Sequence, residues 1–193
     1  MQTLDLRSES GDVRRFIPRA QIDVASAEAA VGGVIERVRS GGEQAVLEIG
    51  EQFDKVRPPS LRVPESVIDA ALAHLDPAVI ESLEEAIRRV RAVHGDQLPE
   101  PHTTTVAPGA NVSQRWVPVD RVGLYVPGGR AVYPSSVVMN VVPAQLAGVR
   151  SIAIASPPQV ELGGWPHPTI LAAANHLGID EVYAVGGAQA IAW

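Results

Sequence analysis

The second half of the chain alternates between short apolar runs and segments with helical patterning, and this alternation restricts its fold more than any other feature. The apolar runs are 122–126, 151–155 and 181–185, and the helical segments between them are 135–146 and 168–177. Strands that are apolar throughout are typical of parallel sheets covered on both faces. Because crossovers between parallel strands are right-handed, the carboxyl ends of these strands meet at one edge. The pattern predicts a parallel βαβαβ unit.

The first half has helical patterning instead. Apolar residues recur along one helical face from Asp23 to Val38, and Ser40-Gly41-Gly42 is predicted to end that helix. Further helices are expected from Glu43 to Phe53, from Pro64 and from Pro77. In the second half, Pro143 lies inside a predicted helix and is expected to kink it or end it early.

A hairpin is predicted between the two halves. The β-prone runs 103–106 and 112–117 flank Pro108-Gly109, a turn sequence. Trp116, which follows Arg115, is interpreted as a packing residue rather than a stacking element for a ligand. The predicted organisation has three parts: a helical N-terminal segment (1–95), a β-hairpin linker (96–121) and an incomplete, Rossmann-like α/β domain (122–193).

Composition excludes several classes of function. A net charge of −6 and a pI of about 5.3 provide no basic field for nucleic acid or an anionic membrane. The chain has no cysteine, so disulfides, zinc thiolates and thiol nucleophiles are excluded together. The N-terminus lacks the apolar centre of a signal peptide, which indicates a cytoplasmic protein. The last residues read as a strand, a glycine turn and the start of a helix, so we expect the N-terminal part of a longer protein.

Three glycine- or proline-rich corners are predicted at the carboxyl edge of the sheet: Val126-Pro127-Gly128-Gly129, Ser156-Pro157-Pro158 and Val185-Gly186-Gly187. Ligands bind outside the carboxyl ends of strands in open α/β sheets, and glycine lets a backbone approach them closely. The alternative is that the glycines only make the turns. No GxGxxG or GxxxxGK[ST] motif follows any strand, so a dinucleotide here would need other contacts.

Tyr125 and Gln189 are the polar side chains best placed at these corners. Tyr125 could stack on a cofactor or hydrogen-bond to it, or could be a core tyrosine with its hydroxyl at the surface. Gln189 could contact the cofactor or bond to the backbone of its own helix. The histidines form no metal-ligand pair, and His74, His94 and His176 are expected at helix ends, near the negative end of the dipole.

The motifs LYVPGG (124–129), VGGAQAIA (185–192) and AVLEIGEQFD (45–54) resemble histidinol dehydrogenase at these separations. The resemblance covers nearly the whole chain and implies oxidation of L-histidinol to L-histidine with NAD⁺ and a bound Zn²⁺, in a homodimer. It implies that Tyr125 and Gln189 contact NAD. It also places the family's zinc ligands, its catalytic Glu–His pair and a third NAD contact beyond Trp193. The alternative is a non-catalytic module that binds a nucleotide or dimerises.

Overall fold

A computed structural model describes residues 5–7, 10–12, 16, 24–128 and 131–193. The described residues form six α-helices and five strands, which are numbered in chain order. The helices are α1 (Val24–Asp54), α2 (Glu65–Ala73), α3 (Pro77–Gly95), α4 (Pro134–Leu146), α5 (Pro168–His176) and α6 (Gly187–Ala192). The strands are β1 (His102–Ala107), β2 (Ala110–Gln114), β3 (Arg121–Tyr125), β4 (Ser151–Ser156) and β5 (Val182–Ala184).

The last three strands form one parallel sheet in the order β3-β4-β5. Tyr125 lies opposite Ala155, and Ala155 lies opposite Tyr183. Helix α4 connects the first two strands, and α5 connects the second and third. The predicted α/β fold, with a parallel βαβαβ unit after a helical segment and a hairpin, is confirmed.

Two hydrophobic cores cover the two faces of this sheet. The larger core contains Ile154 and Val182 with residues of α4 and α5, and it extends to Ile68 of α2 and Leu83 of α3. The smaller core joins Val46 and other residues of α1 to the opposite face. Helices from the first half therefore pack directly on the sheet. The domain boundaries at residues 95 and 121 stay a prediction.

A short segment before α2 also extends the sheet. The Val63 N–H donates to the Val182 carbonyl (2.8 Å), and the Ala184 N–H donates to the Leu61 carbonyl (2.7 Å). Both Leu61 and Val63 are buried, which holds the segment against β5. The outer edge of β5 is therefore covered by the N-terminal half of the chain.

The amino ends of the outer strands are joined by an ion pair. Arg121 at the start of β3 donates to both carboxylate oxygens of Glu181, which precedes β5. The Arg121 guanidinium holds the pKa of Glu181 below its ordinary value. This pair lies at the edge opposite the three corners, so the strands are held together at both ends.

Two local sequence signals, at Gly42 and at Pro143, can be compared with the helices that contain them. Gly42 interrupts α1 with φ 54° and ψ −141°, which confirms the predicted break after Ser40. Of the two effects expected of Pro143, an early end is not seen, because the helix continues to Leu146, whereas a kink stays a prediction. Val141 and Val142, immediately before the proline, are fully buried in the larger core, and their packing holds the helix in place.

The hairpin prediction is confirmed in position but not in length. Strand β2 ends at Gln114 instead of Val117, because its partner β1 starts at His102, opposite Gln114, and the preceding Pro101 has no backbone N–H to extend the ladder. The interpretation of Trp116 as a packing residue is wrong, since 57% of its surface is exposed. In the described part of the chain, no helix has both the length and the apolar character that a membrane span requires.

Candidate functional site

The three predicted corners lie together at the carboxyl edge of the parallel sheet. The Val126 N–H donates to the Ala155 carbonyl (2.8 Å), and the Val185 N–H donates to the Ser156 carbonyl (2.9 Å). The parallel ladder therefore continues one residue past β3 and β5, and the corners start level with one another. Gly129 of the first corner, and Arg130 after it, lie outside the described residues.

Two of the corner glycines allow the corners to pack on each other. A Cβ at Gly128 would lie 3.0 Å from the Ser156 hydroxyl oxygen, and a Cβ at Gly186 would lie 2.7 Å from the Cβ of Pro157. In real structures a Cβ essentially never lies within 3.0 Å of such a neighbour, so a side chain at Gly186 would force the two corners apart. The glycines thus serve the contact between corners, with the 156–157 corner in the middle. This explains why glycine is required here without any phosphate-binding motif.

Gln159 holds the first corner in place, a contact that the sequence did not reveal. Its side-chain amide donates to the Gly128 carbonyl at 2.5 Å, and the side chain is partly buried. A glutamine two residues after Pro157 has no distinctive pattern in the sequence. Its role follows only from the fold, which brings the ends of β3 and β4 side by side.

Tyr125 reaches from the end of β3 to the start of α6. Its hydroxyl oxygen accepts a hydrogen bond from the Gly187 N–H at 3.3 Å. The side chain is half-buried and lines a cleft of about 510 Å³ on the sheet face away from α4 and α5. The floor of the cleft consists of small residues of β3 and β4, namely Gly123, Ala153 and Ala155. Its walls consist of larger residues, namely Tyr183, Ile191 and Trp193.

Gln189 lies on the other side of the same glycine. Only 2% of its surface is exposed, and its side chain folds back so that a Cβ at Gly187 would lie 2.6 Å from its Oε1. Among the described residues, the Gln189 side chain makes no hydrogen bond to the backbone of α6, so the alternative of a backbone cap is not seen. The fold therefore brings Tyr125 and Gln189 together around Gly187, whose φ is +66°.

Gly187 and Gln189 also line a second cavity, of about 270 Å³, between α1 and α6. The α1 residues of its lining are apolar except for one: Ala30, Val31, Val34, Phe53 and Asp54. Tyr125 thus lines the larger cavity and Gln189 lines the smaller one, and Gly187 contacts both residues. Their role in cofactor binding stays a prediction.

Two buried polar atoms at this end of the molecule have no hydrogen-bond partner in the described part of the chain. They are the hydroxyl of Ser156, in the middle corner, and Oδ2 of Asp54, at the end of α1. Burial raises the pKa of the Asp54 carboxyl above its ordinary value. Unsatisfied buried groups are rare in proteins, and each calls for an explanation such as backbone strain, a catalytic role or an ordered water or ion.

The histidines have structural positions, as predicted for three of them. His74 follows α2, while His94 and His176 lie in the last turns of α3 and α5. His167 caps α5, since its Nδ1 accepts from the Thr169 N–H at 3.2 Å. Across the described residues, no group of three His, Asp or Glu side chains is placed to hold a metal ion.

Comparison with known proteins identifies the family of this fold. The sequence model of histidinol dehydrogenase matches residues 17–193. The chain belongs to the histidinol dehydrogenase family. A histidinol dehydrogenase from Thermobifida fusca is 65% identical over 189 residues, which are 98% of this chain and 43% of that protein. One from Corynebacterium glutamicum is 58% identical over 195 residues, which cover all of this chain and 44% of that protein.

The structural comparison agrees with the sequence match. The crystal structure of histidinol dehydrogenase from Elizabethkingia anophelis superposes with a TM-score of 0.80 at 31% identity. The match covers 91% of this chain and 39% of the other. The chain thus spans less than half the length of these relatives, and the resemblance in the motifs LYVPGG and VGGAQAIA reflects family membership.

Proposed function

We propose that this chain supplies part of the nucleotide site of an enzyme that oxidises L-histidinol to L-histidine with NAD⁺. The observation that carries the proposal is the 65% identity, over 98% of the chain, to a relative named histidinol dehydrogenase. The geometry supports it, because the two polar residues predicted from the sequence meet at the carboxyl edge of a parallel sheet. This edge is where open α/β sheets bind ligands.

When bound, NAD⁺ supplies hydride acceptance, and the four-electron oxidation would consume two NAD⁺, one for the hydride of the alcohol carbon and a second for the hydride of the hydrated aldehyde. The residues of this chain would bind the cofactor and orient it. Tyr125 offers a ring face and a hydroxyl at the end of β3, and Gln189 offers an amide at the start of α6. Since the corner glycines serve packing rather than a phosphate cradle, side chains must provide more of the affinity.

The family resemblance further implies zinc, a homodimer and a cytoplasmic location, and we include these in the proposal. The described residues offer no metal cluster, so no step is assigned to zinc here. The net charge of −6 agrees with a small-molecule substrate rather than nucleic acid.

A chimaera tests the proposal directly. The 189 aligned residues of the Thermobifida fusca relative are replaced by this chain, and NADH formation from L-histidinol and NAD⁺ is measured. We expect turnover within about tenfold of the relative's own rate, because the packed cores and corners are retained. A folded chimaera that binds NAD⁺ without oxidising L-histidinol would favour the alternative, a non-catalytic nucleotide-binding module.

Two substitutions in the same chimaera test the residues. Tyr125→Ala and Gln189→Ala should each weaken NAD⁺ binding by about 1–2 kcal/mol, the range for losing a hydrogen bond or a stacked ring. This corresponds to about 5- to 30-fold in Kd, measured by calorimetric titration. Trp116→Phe on the exposed hairpin is the control and should leave Kd unchanged. If both corner variants bind NAD⁺ like the parent, the corners serve only as turns.

A further inference from the structure

The backbone of Gln159 is fixed in a closed turn that runs from residue 159 to residue 165. The Gln159 N–H donates to the Trp165 carbonyl at 3.1 Å, and the Gln159 carbonyl accepts from the Gly164 N–H at 3.0 Å. Gly164 has φ +87°, and a Cβ there would lie 2.9 Å from the Arg57 carbonyl oxygen, so the turn packs on the segment that follows α1. Trp165 packs against the larger core. The turn is thus anchored on two sides, and the Gln159 side chain extends from a fixed position.

The described part of the first corner depends on one side-chain hydrogen bond. Gly128 is buried, and its carbonyl accepts from the Gln159 amide at 2.5 Å. Among the described residues, this is the one hydrogen bond that reaches Pro127 or Gly128, since the strand ladder stops at the Val126 N–H. A buried carbonyl without a partner is costly, so loss of the amide would favour a different conformation of the backbone that follows Tyr125.

We propose that Gln159 is a positioning residue of the nucleotide site. Its amide holds the Gly128 carbonyl, and through it the corner that follows Tyr125, in the conformation that binds NAD⁺. The proposal rests on the proposed function, since it takes the carboxyl edge of the sheet as the nucleotide site. Gln159 lines neither the cleft of about 510 Å³ nor the cavity of about 270 Å³, so it acts through the corner rather than by contact with the cofactor.

The substitution Gln159→Glu separates the hydrogen bond from the shape of the side chain. Glutamate has nearly the same size, but an ionised carboxylate only accepts hydrogen bonds and repels the Gly128 carbonyl, whereas a protonated carboxyl can donate to it. Partial burial beside a carbonyl disfavours the charged form and should raise the pKa of the introduced carboxyl above its ordinary value. The corner of this variant should therefore be held at acidic pH and released as the pH rises through that raised pKa.

Other titratable and charged groups around the turn are the same in the variant and in the parent. They are Glu161 on the turn, Arg57 on the segment against which it packs, His74 on α2 and His167 before α5. Helix α4, which follows the corner, contains no titratable side chain. Burial lowers the pKa of His167, so its ring loses its charge at a lower pH than an exposed histidine does. A comparison of variant and parent at the same pH cancels these contributions.

The experiment titrates NAD⁺ by calorimetry into the chain and its Gln159→Glu and Gln145→Glu variants at about pH 5.5 and about pH 8, with thermal unfolding of each free protein. Gln145 is the matched control, because its partly buried amide also donates to a backbone carbonyl, that of Leu177 (2.7 Å), at the opposite edge of the sheet.

We expect Gln159→Glu to bind NAD⁺ at least about fivefold more weakly than the parent at the higher pH, because the Gly128 carbonyl has lost its donor. At the lower pH this factor should fall by at least about half, since protonation restores a donor. Gln145→Glu should bind NAD⁺ as the parent does at both pH values, even where its melting temperature is lower.

The possible results separate this inference from the proposed function. If the parent binds NAD⁺ and Gln159→Glu binds it equally well at both pH values, Gln159 does not position the site, and the proposed function stands. A loss of the same size at both pH values, or an equal loss in Gln145→Glu, would assign the effect to packing or to general destabilisation and overturn the inference. If the parent binds no NAD⁺, the inference and the nucleotide part of the proposed function both fail.

Discussion

Every residue of β1 and β2 is exposed to solvent, whereas no residue of β4 or β5 is. The hairpin is held by its ladder and by two cross-strand side-chain bonds, Thr103 to Ser113 (2.8 Å) and Thr105 to Asn111 (2.7 Å). The sheet is held by packing on both faces. An isolated two-stranded hairpin is marginally stable in water, so its conformation depends on local turn chemistry. The hairpin strands are therefore specified by residues close to them in the sequence, whereas the strands of the parallel sheet are specified by burial.

The largest effect should come from the centre of the buried sheet. Ile154 on β4 is fully buried in the larger core, and Ile154→Ala removes atoms that its neighbours can only partly replace. We expect a loss of about 2–5 kcal/mol in the free energy of unfolding. The measurement is urea denaturation followed by circular dichroism.

Val112→Ala on the hairpin is the matched control. Val112 is 60% exposed, and substitutions at exposed sites usually change stability by less than about 0.5 kcal/mol. A cost for Val112→Ala close to that of Ile154→Ala would mean that the apolar face of the hairpin is buried in solution, and the contrast between the two regions would fail.

This contrast also explains which features the sequence could predict. The strands β3, β4 and β5 were predictable because burial on both faces makes each run apolar throughout, and the turn at Pro108-Gly109 was predictable because its chemistry is local. Tyr125 and Gln189 could be placed at one edge by the rule for parallel strands alone.

The remaining features depend on contacts between distant segments. Asp54 lies beside Gln189 only because α1 packs on α6, and Gln159 reaches Gly128 only because β3 and β4 are neighbours. No period or motif in a single sequence encodes such pairs. The continuation of α4 past Pro143 has the same origin, since the propensity of one residue gave way to the burial of Val141 and Val142.

A smaller effect is expected where the corners pack together. Gly186 has an ordinary φ of −123°, so Gly186→Ala strains no backbone, but its new Cβ would lie 2.7 Å from the Cβ of Pro157. Overpacking of this kind costs about 1–3 kcal/mol. Urea denaturation should show this loss.

Gly123→Ala on β3 is the control, because its Cβ would meet no atom within 4 Å, and it should be neutral or stabilising by up to about 1 kcal/mol. Equal costs at both sites would show that the corners are not in close contact.

The smallest effect on global stability should come from the hairpin turn. Gly109 has φ +78°, a conformation that costs a residue with a Cβ about 1–2 kcal/mol. Since β1 and β2 share no core with the sheet, Gly109→Ala should open the hairpin without changing the urea midpoint of the chain. Amide hydrogen exchange is expected to accelerate several-fold at Thr104 and Val112, which pair across the hairpin, and to stay unchanged in β4.

Gly109→Asn should retain most of the protection, because asparagine tolerates the left-handed region. A lower urea midpoint for Gly109→Ala would show that folding of the hairpin is coupled to that of the sheet.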